Sequence, residues 1–169
     1  MNDFRHEDGE QLLASFRGRH GGLVAALEAA RTAGIPVIYA NDNDGAWDGD
    51  ALRLVRKAVE GRGGELVAAI APQEGDRFVV KPRYSAFDHT PLELILRDLE
   101  IERILLAGTA TEGCVTQSAV DAREHGLKVS VLTDACATND ERLERIALEY
   151  LEEVVGARLE RAQSTSRSQ

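Results

Sequence analysis

Four short apolar runs limit what this chain can fold into: "IPVIYAN" (35–41), "RFVVK" (77–81), "RILLAG" (103–108) and "KVSVLTD" (128–134). Each is rich in aliphatic residues, bounded by turn formers and close to continuously apolar. That is the pattern of a strand buried on both faces. Between them lie stretches with helical periodicity. "GLVAALEAARTAG" (22–34) ends in a glycine suited to a C-cap. A helix is expected over 50–60 and a short one near 65–70, after the glycine break "GRGG". "TPLELILRDLE" (90–100) offers Thr90 as N-cap and Pro91 at the first helical position. Further helices are expected over 114–125 and 140–154. Strands alternating with helices build βαβ units, so the expected fold is a three-layer αβα arrangement with a mostly parallel, Rossmann-like sheet. Residues 1–20 offer no strand, although such folds commonly open with one.

A chain of 169 residues suits one domain with one substantial core. We expect that domain over 1–160 and a polar tail over 161–169, because "QSTSRSQ" (163–169) cannot offset the entropy of ordering. Lysine and arginine number 20 against 29 aspartates and glutamates, a net charge of −9 that argues against a nucleic-acid face. No run approaches a membrane span and no secretory start is present. The two cysteines, Cys114 and Cys136, show no pairing logic, which fits a reduced, cytoplasmic setting. The expected partner is a small-molecule substrate.

In parallel sheets chemistry gathers beyond the carboxyl ends of the strands, where loops 41–50, 81–89 and 108–114 would converge. Asn41, Asp42, Trp47, Tyr84 and Phe87 are then candidates for a substrate pocket, with Trp47 able to stack on a planar group. Cys114 lies where a buried strand turns into a helix. Unpaired N–H groups and the helix dipole there favour a thiolate and could hold an oxyanion, and small residues in "GTATEG" leave room for substrate. The alternative is an inert buried sulfur. Lys81 closes a strand before a proline, so its ammonium either points into the crevice or is simply solvated. Cys136 reads as packing. His6, His20, His89 and His125 are scattered, and no cluster has metal-ligand spacing. "DNDG" (42–45) hints at a calcium loop, but the register that puts Gly45 at position six leaves Ala51 where a glutamate is required. The acidic loop is therefore read as a solvated rim that disfavours strongly anionic substrates.

Together "NDF" (2–4), "AARTAGIPVIYAND" (29–42), "KPRYSAF" (81–87), "AGTATEGCVTQSAVDAREHG" (107–126) and "VLTDACAT" (131–138) resemble the isochorismatase-like cysteine hydrolases. The resemblance covers nearly all of 1–160 and implies a catalytic aspartate, lysine and cysteine on a parallel α/β fold. Lysine and cysteine fall on Lys81 and Cys114, the oxyanion amides on Ala110 and Cys114, and a cis peptide on Thr109–Ala110. The resemblance further implies hydrolysis of a small amide through a thiolate, or of a vinyl ether in the isochorismate manner, without a cofactor and often in a homo-oligomer. Histidines that bind metal in the nicotinamidase branch are replaced by Asn43 and Asp44. The family's first central strand ends in the catalytic aspartate, which would lie two residues ahead of Met1. We therefore expect a sheet lacking that strand. Two readings stand: a start assigned one motif too late, or an inactive relative with a structural or assembly role.

Overall fold

The computed structural model describes residues 1–162; the tail sequence 163–169 lies outside the described residues. Helix α1 (Gly9–Thr32) opens the chain, followed by β1 (Ile38–Asp42), α2 (Ala51–Val59), α3 (Gly64–Ala69) and β2 (Arg77–Lys81). Then come α4 (Leu92–Asp98), β3 (Arg103–Thr109), a π-type turn (Thr111–Val115) and α5 (Thr116–Glu124). Strand β4 (Lys128–Ala137), α6 (Glu141–Tyr150), a second π-type turn (Leu151–Val155) and β5 (Arg158–Glu160) complete it. Every strand pairing is parallel. The layers follow from β4: Val129 and Val131 face a core with α4 and α5 (Leu92, Leu96, Ala119, Ala122), while Leu132 and Ala135 face a second core with α1, α2 and α3 (Leu12, Phe16, Ala58, Val67).

The strands form two sheets rather than one, β1–β2 and β3–β4–β5. Among the described residues no strand bridges β1 and β3; Met1, Asn2 and Phe4 instead line a cavity of about 50 Å³ together with Gly108 and Thr109 at the end of β3. Leu105 on β3 is 44% exposed, high for a strand in the middle of a three-layer fold. The two sheets nevertheless bring their carboxyl ends together, because Lys81 from β2 touches Cys114 just past β3.

Several boundaries differ from expectation. Helix α1 starts at Gly9, well before the expected residue 22. Its middle turns carry Gly18, Gly21 and Gly22, which mask a buried face of Leu12, Leu13, Phe16 and Leu23. Strand β5 is only three residues long and has no periodicity to read. The expected tail begins too early, since Ala162 is buried at 2% exposure and its N–H donates to Asp134 at 2.8 Å.

Gly22 has a steric purpose. A Cβ there would lie 2.1 Å from the Asp134 carbonyl oxygen, so only glycine lets α1 approach the backbone of β4 this closely. Gly18 and Gly21, in the same helix, face open space. Replacing glycine by alanine inside a helix gains roughly 1 kcal/mol of propensity. At Gly18 or Gly21 that gain is unopposed, so alanine should raise the denaturation midpoint. At Gly22 the clash with backbone outweighs it, and alanine should cost about 1–3 kcal/mol, as overpacking does. Urea titration of the three variants checks this; equal stabilisation by all three would contradict the close approach.

Candidate active site

Lys81 is the last residue of β2 and is only 4% exposed. Its Nζ donates to the Arg83 carbonyl at 2.8 Å and lies 3.3 Å from Cys114 Sγ. Among the described residues no carboxylate contacts either side chain. The solvated-lysine reading is thus replaced by a buried ammonium facing a sulfur. Taking an ammonium out of water costs several kcal/mol unless it is compensated, and one carbonyl is a partial remedy. The Met1 α-amine donates to Asn41 Oδ1, and burial followed by repulsion from Lys81 lowers its pKa to about 6, which favours the neutral amine at pH 7.

Cys114 sits within the π-type turn, not in the first turn of a regular α-helix, and is half-buried. The turn begins after a cis Thr109–Ala110 peptide. The Ala110 carbonyl accepts from the N–H groups of Gly113 and Val115. Two carboxylates that sequence reading did not single out anchor this turn. Glu112 accepts from Thr138 Oγ1 at 2.7 Å and from the Asn139 N–H at 2.9 Å. Glu144, buried on the inner face of α6, accepts from Thr111 Oγ1 at 2.9 Å and pairs with Arg19 at 3.0 Å. A glutamate on the helix face shared by Ala147 and Leu151 was the readable signal, since a buried carboxylate demands partners.

Of the expected pocket residues, Asn41 is buried beside Met1, and Asp42 stands opposite Lys81 in strand register but is exposed, its Oδ1 accepting the Asp44 N–H. Tyr84 is 60% exposed and borders the turn: a Cβ on Gly113 would meet its ring at 3.8 Å. Trp47 is 80% exposed. Phe87 points elsewhere, packing on the α4–α5 core and stacking on His125 at 5.0 Å, so it is withdrawn from the pocket. Asp3 pairs with Lys57 at 3.4 Å. The acidic loop is not a free rim either. Asp44 pairs with Lys57 and Arg53, Asp48 pairs with Arg53, and Asp50 caps α2 through the Arg53 N–H. Its hydrogen bond from Lys57 leads the interactions that hold the Asp44 carboxyl below the usual range. Two of the loop's four aspartates, Asp44 and Asp48, are thus paired with cations. A shallow depression along α4, beside Leu94 and Arg97, has no part in this chemistry.

Fold and site together define a three-layer α/β protein with a buried lysine–cysteine pair at its strand ends. The chain matches the isochorismatase domain over residues 1–163 and belongs to the isochorismatase family; it is an isochorismatase-like hydrolase. It is 30% identical over 159 residues to the uncharacterized isochorismatase family protein YaaI of Bacillus subtilis, covering 94% of this chain and 88% of that protein. It is 32% identical over 152 residues to the ureidoacrylate amidohydrolase RutB of Agrobacterium fabrum, covering 72% of this chain but only 65% of that protein. Among solved structures, N-carbamoylsarcosine amidase from Thermoplasma acidophilum superposes with a TM-score of 0.71 at 29% identity, covering 88% of this chain and 85% of that one. The nicotinamidase PncA from Bacillus subtilis gives 0.74 at 28% identity, covering 94% and 93%.

The two sulfurs differ sharply. Cys136 is fully buried, and burial pushes its thiol up to about 12. Ellman's reagent at pH 8 should therefore titrate one thiol in the native protein and two in guanidinium. Two reactive thiols before unfolding, or none, would contradict the assignment.

Proposed function

We propose that this chain hydrolyses the carbon–nitrogen bond of a small amide, with Cys114 as the nucleophile. The observation that carries the reading is the buried Lys81 ammonium, whose one side-chain hydrogen-bond partner among the described residues is Cys114 Sγ at 3.3 Å. A thiolate at that position gives the ammonium its counter-charge and is the form of sulfur that attacks a carbonyl. The relatives that support an amide substrate are a ureidoacrylate amidohydrolase, a maleamate amidohydrolase, an N-carbamoylsarcosine amidase and a nicotinamidase.

The sequence of steps follows from the pair. The Cys114 sulfur attacks the amide carbon, and the carbonyl electrons move onto oxygen. N–H groups of Ala110, just ahead of the π-type turn, and Cys114, within it, would hold that oxyanion. The tetrahedral species collapses, the carbon–nitrogen bond breaks, and the leaving nitrogen takes a proton. Water then attacks the thioester and releases the acid. Proton transfer needs a group that neither Lys81 nor the turn supplies. The family resemblance assigns this transfer to an aspartate.

Ammonia release from a panel of small primary amides and ureido compounds, with isochorismate alongside, tests the reading. Cys114→Ala should remove turnover, and intact mass should show an acyl group on Cys114 and not on Cys136. Amide turnover that survives Cys114→Ala, or no amide turnover at all, would refute the proposal.

A further inference from the structure

Two separate sets of bonds hold the turn that carries Cys114. Glu112 ties it to the segment after β4, through Thr138 Oγ1 and the Asn139 N–H. Thr111, the residue next to Ala110, is tied inward and is fully buried. Its Oγ1 donates to Glu144 Oε1 at 2.9 Å, and the Ala137 carbonyl oxygen lies 3.3 Å from the same hydroxyl. A hydroxyl has one proton to give, and the shorter bond, to a carboxylate, is the stronger. The other Glu144 oxygen accepts from Arg19 at 3.0 Å, and Arg19 also donates to the Thr133 carbonyl. The Thr111 carbonyl in turn accepts from Thr116 Oγ1 at 2.6 Å. Thr111 is therefore fixed through both its side chain and its backbone.

Stability alone does not account for Glu144. It is 5% exposed, and well-packed apolar residues often hold a fold as firmly as a buried ion pair does. What a carboxylate supplies, and a leucine cannot, is an acceptor aimed at one hydroxyl. That hydroxyl belongs to the residue following Ala110. Among the described residues the Ala110 N–H donates to no acceptor, so it is open to a developing negative charge, as an oxyanion donor must be. The Ala110 carbonyl is held by the N–H groups of Gly113 and Val115. On one side of Ala110, Thr109 pairs with Ala137 in the sheet; on the other, Thr111 is pinned by Glu144. Glu112 lies between this anchor and Cys114 and gives the sulfur a support of its own.

We propose that Thr111 and Glu144 are positioning residues: their hydrogen bond, backed by Arg19, sets the direction of the Ala110 N–H, while the reactivity of the Cys114 sulfur is left to Lys81. The inference rests on the reading of Cys114 as the nucleophile in amide hydrolysis. The oxyanion exists only after the sulfur has attacked, so losing the bond lowers kcat and leaves KM nearly unchanged.

Two reactions of the same sulfur in the full chain separate the roles. Iodoacetamide is attacked at a saturated carbon, iodide leaves, and no oxyanion forms. Propionaldehyde is attacked at its carbonyl: a sulfur–carbon bond forms and the π electrons move onto oxygen, where the N–H groups receive them. Propionaldehyde should therefore protect wild-type Cys114 reversibly from iodoacetamide. Thr111→Val should keep the unprotected labelling rate within about twofold, weaken the aldehyde's protection about tenfold or more, and lower kcat on the best amide of the panel about 10–100-fold, the scale of a small misplacement. Thr111→Ser keeps the hydroxyl and should recover most of both losses. Thr111→Val combined with Glu144→Leu makes the pair apolar; its circular dichroism spectrum should be unchanged and its kcat should stay low. Recovery of kcat in that double variant would overturn the proposal, as would unchanged protection in Thr111→Val or no protection of the wild-type chain. A labelling rate that falls in step with kcat would also overturn it, because the bond would then be holding the sulfur. Absence of amide turnover from every chain would refute the amide reading instead, and the aldehyde measurement would still decide the positioning role.

Discussion

Lys81 is a cation placed where water cannot solvate it, and the arrangement around it is the constraint on which the site depends. A buried ammonium is tolerated only when hydrogen bonds and counter-charge surround it. Here the Arg83 carbonyl supplies one bond and the Cys114 sulfur lies at contact distance. The two come from different sheets: Lys81 ends β2, and Cys114 follows β3. Their contact joins the carboxyl ends of two sheets that share no strand ladder among the described residues.

That contact is useful only if the sulfur is held in place. The π-type turn is anchored on one side by Glu112, bonded to Thr138 and Asn139 beyond β4, and on the other by Glu144, bonded to Thr111 and paired with Arg19. These links reach α1, β4 and α6, so the position of Cys114 depends on elements distant in sequence. Gly22 belongs to the same design. Its missing side chain brings α1 onto the backbone of Asp134, close to where Arg19 bonds the Thr133 carbonyl and reaches Glu144.

Much of this was legible in the sequence, for local reasons. Strand β2 matches its expected range, and β3 runs one residue longer, because aliphatic runs between turn formers leave few alternatives. Lys81 and Cys114 stand out by their places at strand ends, while their roles came only from the family resemblance. What escaped was set by tertiary contact. The part of α1 ahead of Leu23 looks poorly helical because Gly18, Gly21 and Gly22 carry no periodicity, yet packing of Leu12, Leu13 and Phe16 holds it. Phe87 was placed in the pocket by its loop, but its ring found the α4–α5 core and His125. The acidic loop was read without Arg53 and Lys57, which α2 presents to it and which pair with Asp44 and Asp48. The separation into two sheets depends on which strands pair, and no local pattern encodes pairing.

The central claim is that Lys81 makes Cys114 reactive. It is tested most directly by the second-order rate of iodoacetamide labelling at Cys114, followed by peptide mass spectrometry in the wild-type chain, Lys81→Met and Lys81→Arg. Removing the charge should slow labelling at least about tenfold while the fold persists, and arginine should retain most of the rate, since a cation near the sulfur favours the thiolate that reacts. An unchanged rate in a folded Lys81→Met variant would show that the contact is packing alone, and the account of the site would be wrong.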